Sequence, residues 1–403
     1  MDSRQVFLET ARFGSPTRLY RWECVAAWRV TRERWRAEGG PPLGADFCQA
    51  FDMDWHIGFL NFQKELDIVS GFTVSPYVPP FRRKVLAEED GRVVVRTPRG
   101  VVQRELKDHP ERSMPQFLTY PVASRRDWER IQRRLDPEAP GRYPRDWGPI
   151  EERCAKRDFP LGMPITGAFG HPRNLFGTTA VLTLYYDDPG LFEDIQRHWV
   201  WMYKRIVDVV TSHLKLDYVL LWEDMAYKTA PLISPSLFRR FMLPYYQDLI
   251  GHIRGKGIDL VFVDTDGQFD VLIPLFVEAG VDGFFPFEVA AGMDVVEVRR
   301  KYGKRFAMFG GLDKRAVALG PEAIDAELEA KRVRALLEDG GFFPGLDHSA
   351  PPDISLPNFI YFLNRLRAIG DEVYGTTTPP LPVPRPRRAW VPPADLLSLA
   401  EVE

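Results

Sequence analysis

Short apolar runs that end in acidic residues recur along the second half of the chain. They are YVLLWED from Tyr218, LVFVDTD from Leu260, GFFPFE from Gly283, FAMFGGLDKR from Phe306 and FFPGLDH from Phe342. Continuous apolar runs of this length are typical of parallel strands that are buried on both faces. The pattern therefore predicts five such strands, each followed by carboxylates at its carboxyl end.

The segments between these runs have the signals of helices. Asp188-Pro189 and Ser234-Pro235 each combine an N-cap residue with a proline at the first helical position. The strand-to-strand spacing suits right-handed helical crossovers. With GMPITGA (162–168) as a sixth strand and RLYRWEC (18–24) as the first one, the pattern predicts an α/β fold, a (β/α)₈ TIM barrel. Its active site would lie at the carboxyl ends of the strands.

Two regions do not follow the strand–helix alternation. Residues 51–120 contain period-2 stretches interrupted by Asp90-Gly91 and Pro98-Arg99-Gly100, which predict a β-hairpin insertion near the N-terminus that could cover the site. Residues 376–403 are proline-rich and predict an extended C-terminal tail. We therefore expect one barrel domain over residues 1–375, with the insertion inside it, and a C-terminal extension over residues 376–403.

Composition limits the classes of function. A net charge of −3 gives no electrostatic case for a nucleic acid or an anionic membrane as partner. No apolar stretch reaches the ~18 residues of a membrane helix, and the N-terminus lacks the pattern of a signal peptide. Cys24, Cys48 and Cys154 are odd in number and far apart, which favours a reducing, cytoplasmic location.

Several blocks of the chain resemble one enzyme superfamily. They are FVDTDGQFDVLIPLFVEAGVDGFFPFE, GGLDKR and GLDHSAPPD, within a likeness that covers about residues 162–369. The chain resembles the uroporphyrinogen decarboxylase superfamily, in particular the branch found beside corrinoid methyl-transfer proteins. The resemblance implies a (β/α)₈ barrel and an enzyme. Its reaction would be methyl transfer linked to a corrinoid protein, or decarboxylation of a tetrapyrrole without a cofactor.

The decarboxylase pattern is matched only in part. It has two arginines after the first strand, an aspartate near the second strand and a histidine after the last. The second arginine corresponds to Arg29 and the histidine to His348, but the first arginine falls on Val25. Asp52 and Asp54 are the nearest candidates for the aspartate. Valine cannot replace a bidentate arginine on a substrate carboxylate, so the resemblance does not carry over uroporphyrinogen itself as substrate.

The methyltransferase pattern is also altered. Those relatives bind zinc through His-x-Cys after the fifth strand and a cysteine after the eighth. Here the first position reads Asp264-Thr265-Asp266, and the second falls near Leu346 or Asp347, beside His348. The usual zinc site for activating a thiol therefore lacks its thiolate ligands.

The residues at these positions suggest two kinds of site. Asp264, Asp266 and His348 would form a set of two carboxylates and one imidazole, which suits a divalent metal such as Zn²⁺. The same groups could equally be a metal-free acid–base cluster. Alternatively, Asp264 and Asp266 only cap the helix predicted near Phe269.

Other strand-end residues complete the predicted site. With Asp266 and His348, we expect Glu223 and Glu288 to be catalytic, because carboxylates after neighbouring strands meet at one edge of the sheet. Polar residues after the same strand ends, or matched by the resemblance, are expected to bind substrate: Arg29, His171, Arg173, Asp224, Asp313 and Lys314.

Three hypotheses of function follow. The first is methyl transfer to or from a corrinoid, carried by a partner protein, or a small methylated substrate. The second is cofactor-independent decarboxylation, in which Asp266 and His348 handle the proton and Arg29 holds a carboxylate. The third is a non-catalytic tetrapyrrole- or corrinoid-binding protein. A second copy of the chain is a further candidate partner.

Overall fold

The strands in the described part of the chain form two separate sheets. A computed structural model describes residues 1–23, 27–55, 77–107 and 115–384. The first sheet contains β1 (Lys84–Glu89), β2 (Arg92–Arg96), β3 (Val102–Leu106) and β4 (Gln116–Thr119). The second contains β5 (Gly162–Thr166), β6 (Tyr218–Trp222), β7 (Leu260–Asp264), β8 (Gly283–Phe285), β9 (Ala307–Leu312) and β10 (Phe342–Leu346).

Strands β5 to β10 form a parallel sheet in which sequence neighbours are also spatial neighbours. Helices connect successive strands, as expected for right-handed crossovers. Before β5 the helices are Ser3–Ala11, Arg29–Ala37, Phe47–Ala50, Arg125–Gln132 and Gly148–Ala155. After it they are Gly170–Phe176, Thr178–Asp187, Pro189–His213, Pro235–Phe241, Leu243–Gly255, Ile273–Ala279, Val295–Tyr302, Lys314–Leu319, Pro321–Ala330, Val333–Asp339 and Leu356–Tyr374.

Side chains of the parallel strands alternate between two apolar clusters. On β6, Val219 and Leu221 face the cluster shared with the helices, whereas Tyr218 and Leu220 face a second cluster on the other side of the sheet. The period-2 geometry of a strand sends successive side chains to opposite faces. Both faces are therefore buried, which explains why these strands are continuous apolar runs.

The first helix closes the second cluster. Phe7 of the helix Ser3–Ala11 is 1% exposed and contacts aromatic rings from several strands and from the segment that follows the helix. The rings are those of Tyr20, Tyr218, Phe262, Phe309 and Phe343, with centroids 5.3–6.3 Å from that of Phe7. The face of the sheet that carries the second cluster is thus packed with aromatic side chains.

The parallel sheet has six hydrogen-bonded strands, fewer than the eight that we expected. Over the described residues its hydrogen bonds do not close into a barrel. The predicted first strand lies beside β10, but it is joined there mainly through side chains: Leu346 donates its N–H to Glu23 at 3.1 Å, and Ala27 forms an isolated bridge with Ala350. The fold is therefore barrel-like, with a continuous parallel sheet of six strands.

Strands β1 to β4 form an antiparallel sheet, with the turn Asp90-Gly91 between β1 and β2. Val85, Val95, Gln103 and Phe117 are cross-strand partners in one row and so lie on one face of this sheet. The predicted insertion also includes residues 56–76 and 108–114, which lie outside the described residues.

The start of the proline-rich tail lies against the last helix, since Leu381 and Asn364 exchange two hydrogen bonds of 2.7 and 3.0 Å. The rest of the predicted tail, residues 385–403, lies outside the described part of the chain. In that described part, no helix combines the length and the apolar character needed to span a membrane.

Candidate active site

Carboxylates meet where β6 and β7 end. Asp264 is the last residue of β7 and is 6% exposed. Its carbonyl oxygen accepts the N–H groups of Glu223 at 2.9 Å and Asp224 at 3.4 Å, which directly follow β6. Asp224 has a left-handed backbone (φ +49°), which Asp tolerates better than most residues. Four carboxyl groups therefore share this edge: Glu223, Asp224, Asp264 and Asp266.

Asp264 is held in an environment that favours its protonated form. Burial raises the pKa of its carboxyl group well above the usual range. The negative charges of Asp266, Asp224 and Glu223 raise the pKa further, because a second carboxylate nearby opposes ionisation. The end of β7 therefore has a buried carboxyl group whose protonated form is favoured.

His348 and Asp266 form an ion pair at the same edge. Nε2 of His348 lies 3.6 Å from Oδ2 of Asp266, and both side chains remain about one-third exposed. Burial alone would lower the pKa of His348, but the contact with Asp266 more than offsets it, so the pKa is raised. The edge thus contains a second group whose protonated form is favoured.

Lys314 lies among the remaining carboxylates of the edge. Its Nζ is 3.5 Å from Oδ1 of the fully buried Asp347 and 4.0 Å from Oε1 of Glu288. Asp347 also accepts the N–H of Val289 at 3.0 Å, and Glu288 accepts that of Gly267 at 3.2 Å. Glu288 and Lys314 are therefore at the predicted edge and connect the loops that follow β7, β8, β9 and β10.

The predicted metal set does not fit a metal ion in this arrangement. Within residues 1–23, 27–55, 77–107 and 115–384, no three His, Cys, Asp or Glu side chains are grouped so that they could hold one. The carboxyl group of Asp264 is buried in surroundings that favour its protonated form, whereas His348 pairs with Asp266. Metal ligation needs deprotonated donors that point at one position.

Glu223 has a different position from the one expected of a catalytic residue. It is fully buried, and its carboxylate accepts the N–H groups of Ala168 at 2.8 Å, Phe169 at 2.8 Å and Gly170 at 2.9 Å, as well as the hydroxyl of Tyr246. These N–H groups begin the helix Gly170–Phe176. Glu223 therefore fixes the loop after β5.

Glu223 predicts a pH dependence of stability. Burial raises its pKa from 4.5 to about 8, against the opposing effect of the three backbone N–H groups. Between these values the unfolded chain has released the proton and the native protein retains it, so stability falls as pH rises. We expect a lower denaturation midpoint at pH 8 than at pH 5, and a smaller decline in Glu223→Gln. An identical decline in both proteins would contradict this assignment.

A cleft lies between the antiparallel sheet and the carboxyl end of β6. It encloses about 480 Å³. From the antiparallel sheet and its turns it is lined by Arg99, Gln103, Phe117 and Tyr120, and from the parallel sheet by Arg173, Trp222 and Asp224. We refer to it as the inter-sheet cleft. It reaches the acidic edge, because Asp224 lines the cleft and also raises the pKa of Asp264.

Arg173 and Asp224, which were both predicted to bind substrate, line this cleft. Arg173 forms an ion pair with the Asp224 carboxylate, donates to its carbonyl oxygen at 2.9 Å, and lies 5.6 Å from the Trp222 ring centroid. Tyr120 packs on Gly177, where a Cβ would overlap the tyrosine ring and φ is +81°. These contacts fix the positions of the two walls of the cleft relative to each other.

Three other predicted substrate-binding residues have structural contacts. Asp313 caps the helix Lys314–Leu319 by accepting the N–H of Arg315 at 2.8 Å, and it also pairs with the Arg315 side chain. His171 is buried, and burial, together with His198, lowers its pKa to about 3. Arg29 pairs with Glu33 at 3.2 Å at the start of its helix. Among the described contacts, none of the three lines the inter-sheet cleft.

Sequence reasoning missed the residues that the antiparallel sheet contributes. Pro98-Arg99-Gly100 was interpreted only as a turn, and Phe117 and Tyr120 gave no separate signal. A turn motif predicts local backbone geometry but not which distant element the turn approaches. Arg99 and the two aromatic residues line the cleft only because the antiparallel sheet lies over the end of β6.

Comparison with known proteins agrees with the fold. The family model described as Uroporphyrinogen decarboxylase (URO-D) matches residues 107–369, well over half of the chain. A methyltransferase from Methanosarcina mazei has a similar structure, with a TM-score of 0.55 and 13% identity over 93% of this chain and 99% of that chain. No curated protein sequence matches significantly.

A more distant likeness involves a putative vitamin-B12 independent methionine synthase from Listeria monocytogenes. Its TM-score is 0.32 at 12% identity, covering 56% of this chain and 69% of that one. This score is too low to indicate a shared fold over the whole chain. The match of the family model, supported by the parallel α/β sheet, shows that the chain belongs to the uroporphyrinogen decarboxylase family.

Proposed function

We propose that the protein transfers a methyl group from the oxygen of a small methyl ether to a corrinoid carried by a partner protein. The observation that carries the proposal is the position of Asp264. This carboxyl group is buried at the end of β7, among the carboxylates of Asp224, Asp266 and Glu223, and beside the inter-sheet cleft. Such a group suits a general acid.

Cleavage of a methyl ether requires a proton. The bond between the methyl carbon and oxygen breaks, the methyl carbon accepts the electron pair of the reduced corrinoid, and the leaving oxygen keeps the electrons of the broken bond. Asp264 would supply the proton to that oxygen, and His348, paired with Asp266, could restore the proton from solvent. The corrinoid is a co-substrate in this scheme.

The opposite chemistry, activation of a thiol acceptor, agrees less well with these residues. A thiol must lose its proton to become a nucleophile. The edge of the sheet is acidic, and the positions at which the methyltransferase relatives have cysteine are occupied by Asp266 and by Leu346 or Asp347. Negative charges next to a thiol raise its pKa and oppose formation of the thiolate. The same charges favour proton donation to a leaving group.

The similarity to the M. mazei methyltransferase supports the proposal at the level of the fold. A direct test is to mix the purified protein with free cob(I)alamin and a panel of alkyl and aryl methyl ethers. We expect formation of methylcobalamin, followed by its absorption spectrum, and release of the demethylated alcohol or phenol in equal amount. Absence of both products across the panel, while the protein remains folded, would contradict ether cleavage.

Decarboxylation remains a second candidate because the same acid could protonate the carbanion left by loss of CO₂. The guanidinium groups of Arg99 and Arg173 in the cleft favour a substrate with a carboxylate. Release of CO₂ from uroporphyrinogen or a smaller carboxylate, without any corrinoid, would support this reaction. Replacement of His348 by glutamine should then slow release, since His348 holds the second proton.

A further inference from the structure

The antiparallel sheet gives the inter-sheet cleft an aromatic wall. Phe117 on β4 and Tyr120 just after it line the cleft, with ring centroids 6.0 Å apart. Phe117 is the cross-strand partner of Gln103, which also lines the cleft, and 46% of it is exposed. Trp222 lines the cleft from the end of β6. Aromatic surface that stays exposed inside a cleft is typical of ligand sites.

The charged groups of the lining contribute less to this surface, because they have other contacts. Arg173 is paired with Asp224, and Arg99 has interactions of its own. The rings, by contrast, are held in position with part of their surface uncovered: Tyr120 packs on Gly177, and Trp222 has the Arg173 guanidinium 5.6 Å from its ring centroid. A surface that is already ordered loses little freedom when a ligand binds.

We propose that the antiparallel sheet selects the substrate, by binding the ring of an aryl methyl ether against Phe117 and Tyr120, opposite Trp222. This inference rests on the proposed function, because it chooses between the aryl and alkyl ethers that the reaction could use. An aromatic ring gains offset or edge-to-face contacts with other rings, and a saturated group of the same size does not. Neither guanidinium group is needed for this recognition.

The volume of the cleft agrees with one substituted ring. A space of about 480 Å³ corresponds to about 16 water molecules at ~30 Å³ each, and so to a similar number of non-hydrogen atoms in an organic ligand. A benzene ring with a few substituents fits this limit. A tetrapyrrole or a corrinoid with its side chains exceeds it. The cleft therefore suits the methyl donor and not the methyl acceptor.

The aromatic lining also lies next to the proposed proton donor. Trp222 and Asp264 are the last residues of β6 and β7 and are directly paired in the parallel sheet. Asp224, two residues after Trp222, lines the cleft as well. A ring that packs on Trp222 therefore places its substituents beside the end of β7, where the ether oxygen has to receive its proton.

Binding can be tested without turnover. We would titrate the full-length protein by isothermal calorimetry with 4-methoxybenzyl alcohol, and with (4-methoxycyclohexyl)methanol as its saturated counterpart. Both compounds are uncharged methyl ethers of similar size. We expect the aromatic alcohol to bind more tightly. Phe117→Leu should weaken its binding about 5-fold and leave the saturated compound nearly unaffected, because leucine keeps the apolar surface and removes the ring.

Leu118→Ala is the control on the same strand. Leu118 follows Phe117 on β4, so its side chain is directed to the opposite face of the sheet, and it is 39% exposed. Affinity for the aromatic alcohol should be unchanged in this variant, and circular dichroism shows whether both variants fold. Equal affinity for the two compounds, which includes no measurable binding of either, or equal losses in Phe117→Leu and Leu118→Ala, would overturn the inference.

The two proposals can fail separately. Phe117-dependent binding of the aromatic alcohol without methyl transfer to cob(I)alamin would overturn the reaction and retain the ligand class. Methyl transfer from aryl and alkyl ethers with the same kcat/KM, in wild type and Phe117→Leu alike, would overturn the ligand class and retain the reaction.

Discussion

Replacement of Asp264 by asparagine should reduce the rate of methyl transfer by about 10²–10⁴-fold, the usual contribution of a general acid. Asparagine has nearly the same size and is neutral, like the protonated aspartic acid that the surrounding charges favour. It cannot release a proton to a leaving oxygen. The midpoint of thermal unfolding should therefore change little, while the rate of methylcobalamin formation falls.

Asp259→Asn provides a control next to the same strand. Asp259 immediately precedes β7 at its amino end, where its exposed carboxylate pairs with Arg12 at 3.2 Å. The same chemical change at this position should leave the rate unaltered. If Asp264→Asn retains the wild-type rate, or if Asp259→Asn is equally slow, Asp264 is not the proton donor.

The pH profile gives a further check on the role of Asp264. Its protonated form and that of His348 are both lost as pH rises, and both pKa values are raised in the folded protein. The rate should therefore decline on the alkaline side. The alkaline limb should change in His348→Gln, because that variant lacks one of the two groups.

Replacement of Phe7 by alanine should lower the free energy of unfolding by about 3–5 kcal/mol, the range measured for truncating a buried aromatic side chain. Phe7 is 1% exposed and contacts rings from β6, β7, β9 and β10. The cavity left by the ring cannot collapse easily, because four strands hold its walls apart. Chemical denaturation followed by circular dichroism measures the change.

Leu319→Ala is the corresponding surface substitution. Leu319 ends the helix Lys314–Leu319 and is 81% exposed, so its truncation should change the stability by at most about 0.5 kcal/mol. A loss for Phe7→Ala as small as that for Leu319→Ala would show that the first helix does not support the inner face of the sheet.

The parallel sheet could be predicted from the sequence because its strands are buried on both faces. Such strands must be apolar along their whole length, and β6, β7 and β9 are recognisable for that reason. The pattern also predicted a closed barrel of eight strands, and over the described residues the parallel sheet has only six. RLYRWEC looks like a strand, but its side chains pack beside β10 without a continuous ladder of backbone hydrogen bonds.

The candidate site was also predictable in part. Asp264, Asp266 and His348 were identified from their positions after strands, and they lie at one edge with Glu288 and Lys314. Whether a strand-end carboxylate reaches the cavity could not be predicted. Glu223 and Asp224 are adjacent, yet the first is enclosed by N–H donors and the second lines the cleft.

The sequence by itself determined the order of strands and helices, the acidic edge and the family. The apolar pattern of a buried strand and the motifs of the family are both formed by residues that are close along the chain. Only the tertiary structure decided the environment that raises the pKa of Asp264 and the lining of the inter-sheet cleft. Both depend on charges and surfaces that come from distant segments, such as Asp224 near Asp264 and Arg99 opposite Trp222. Those proximities arise from packing two sheets together, and no local pattern encodes them.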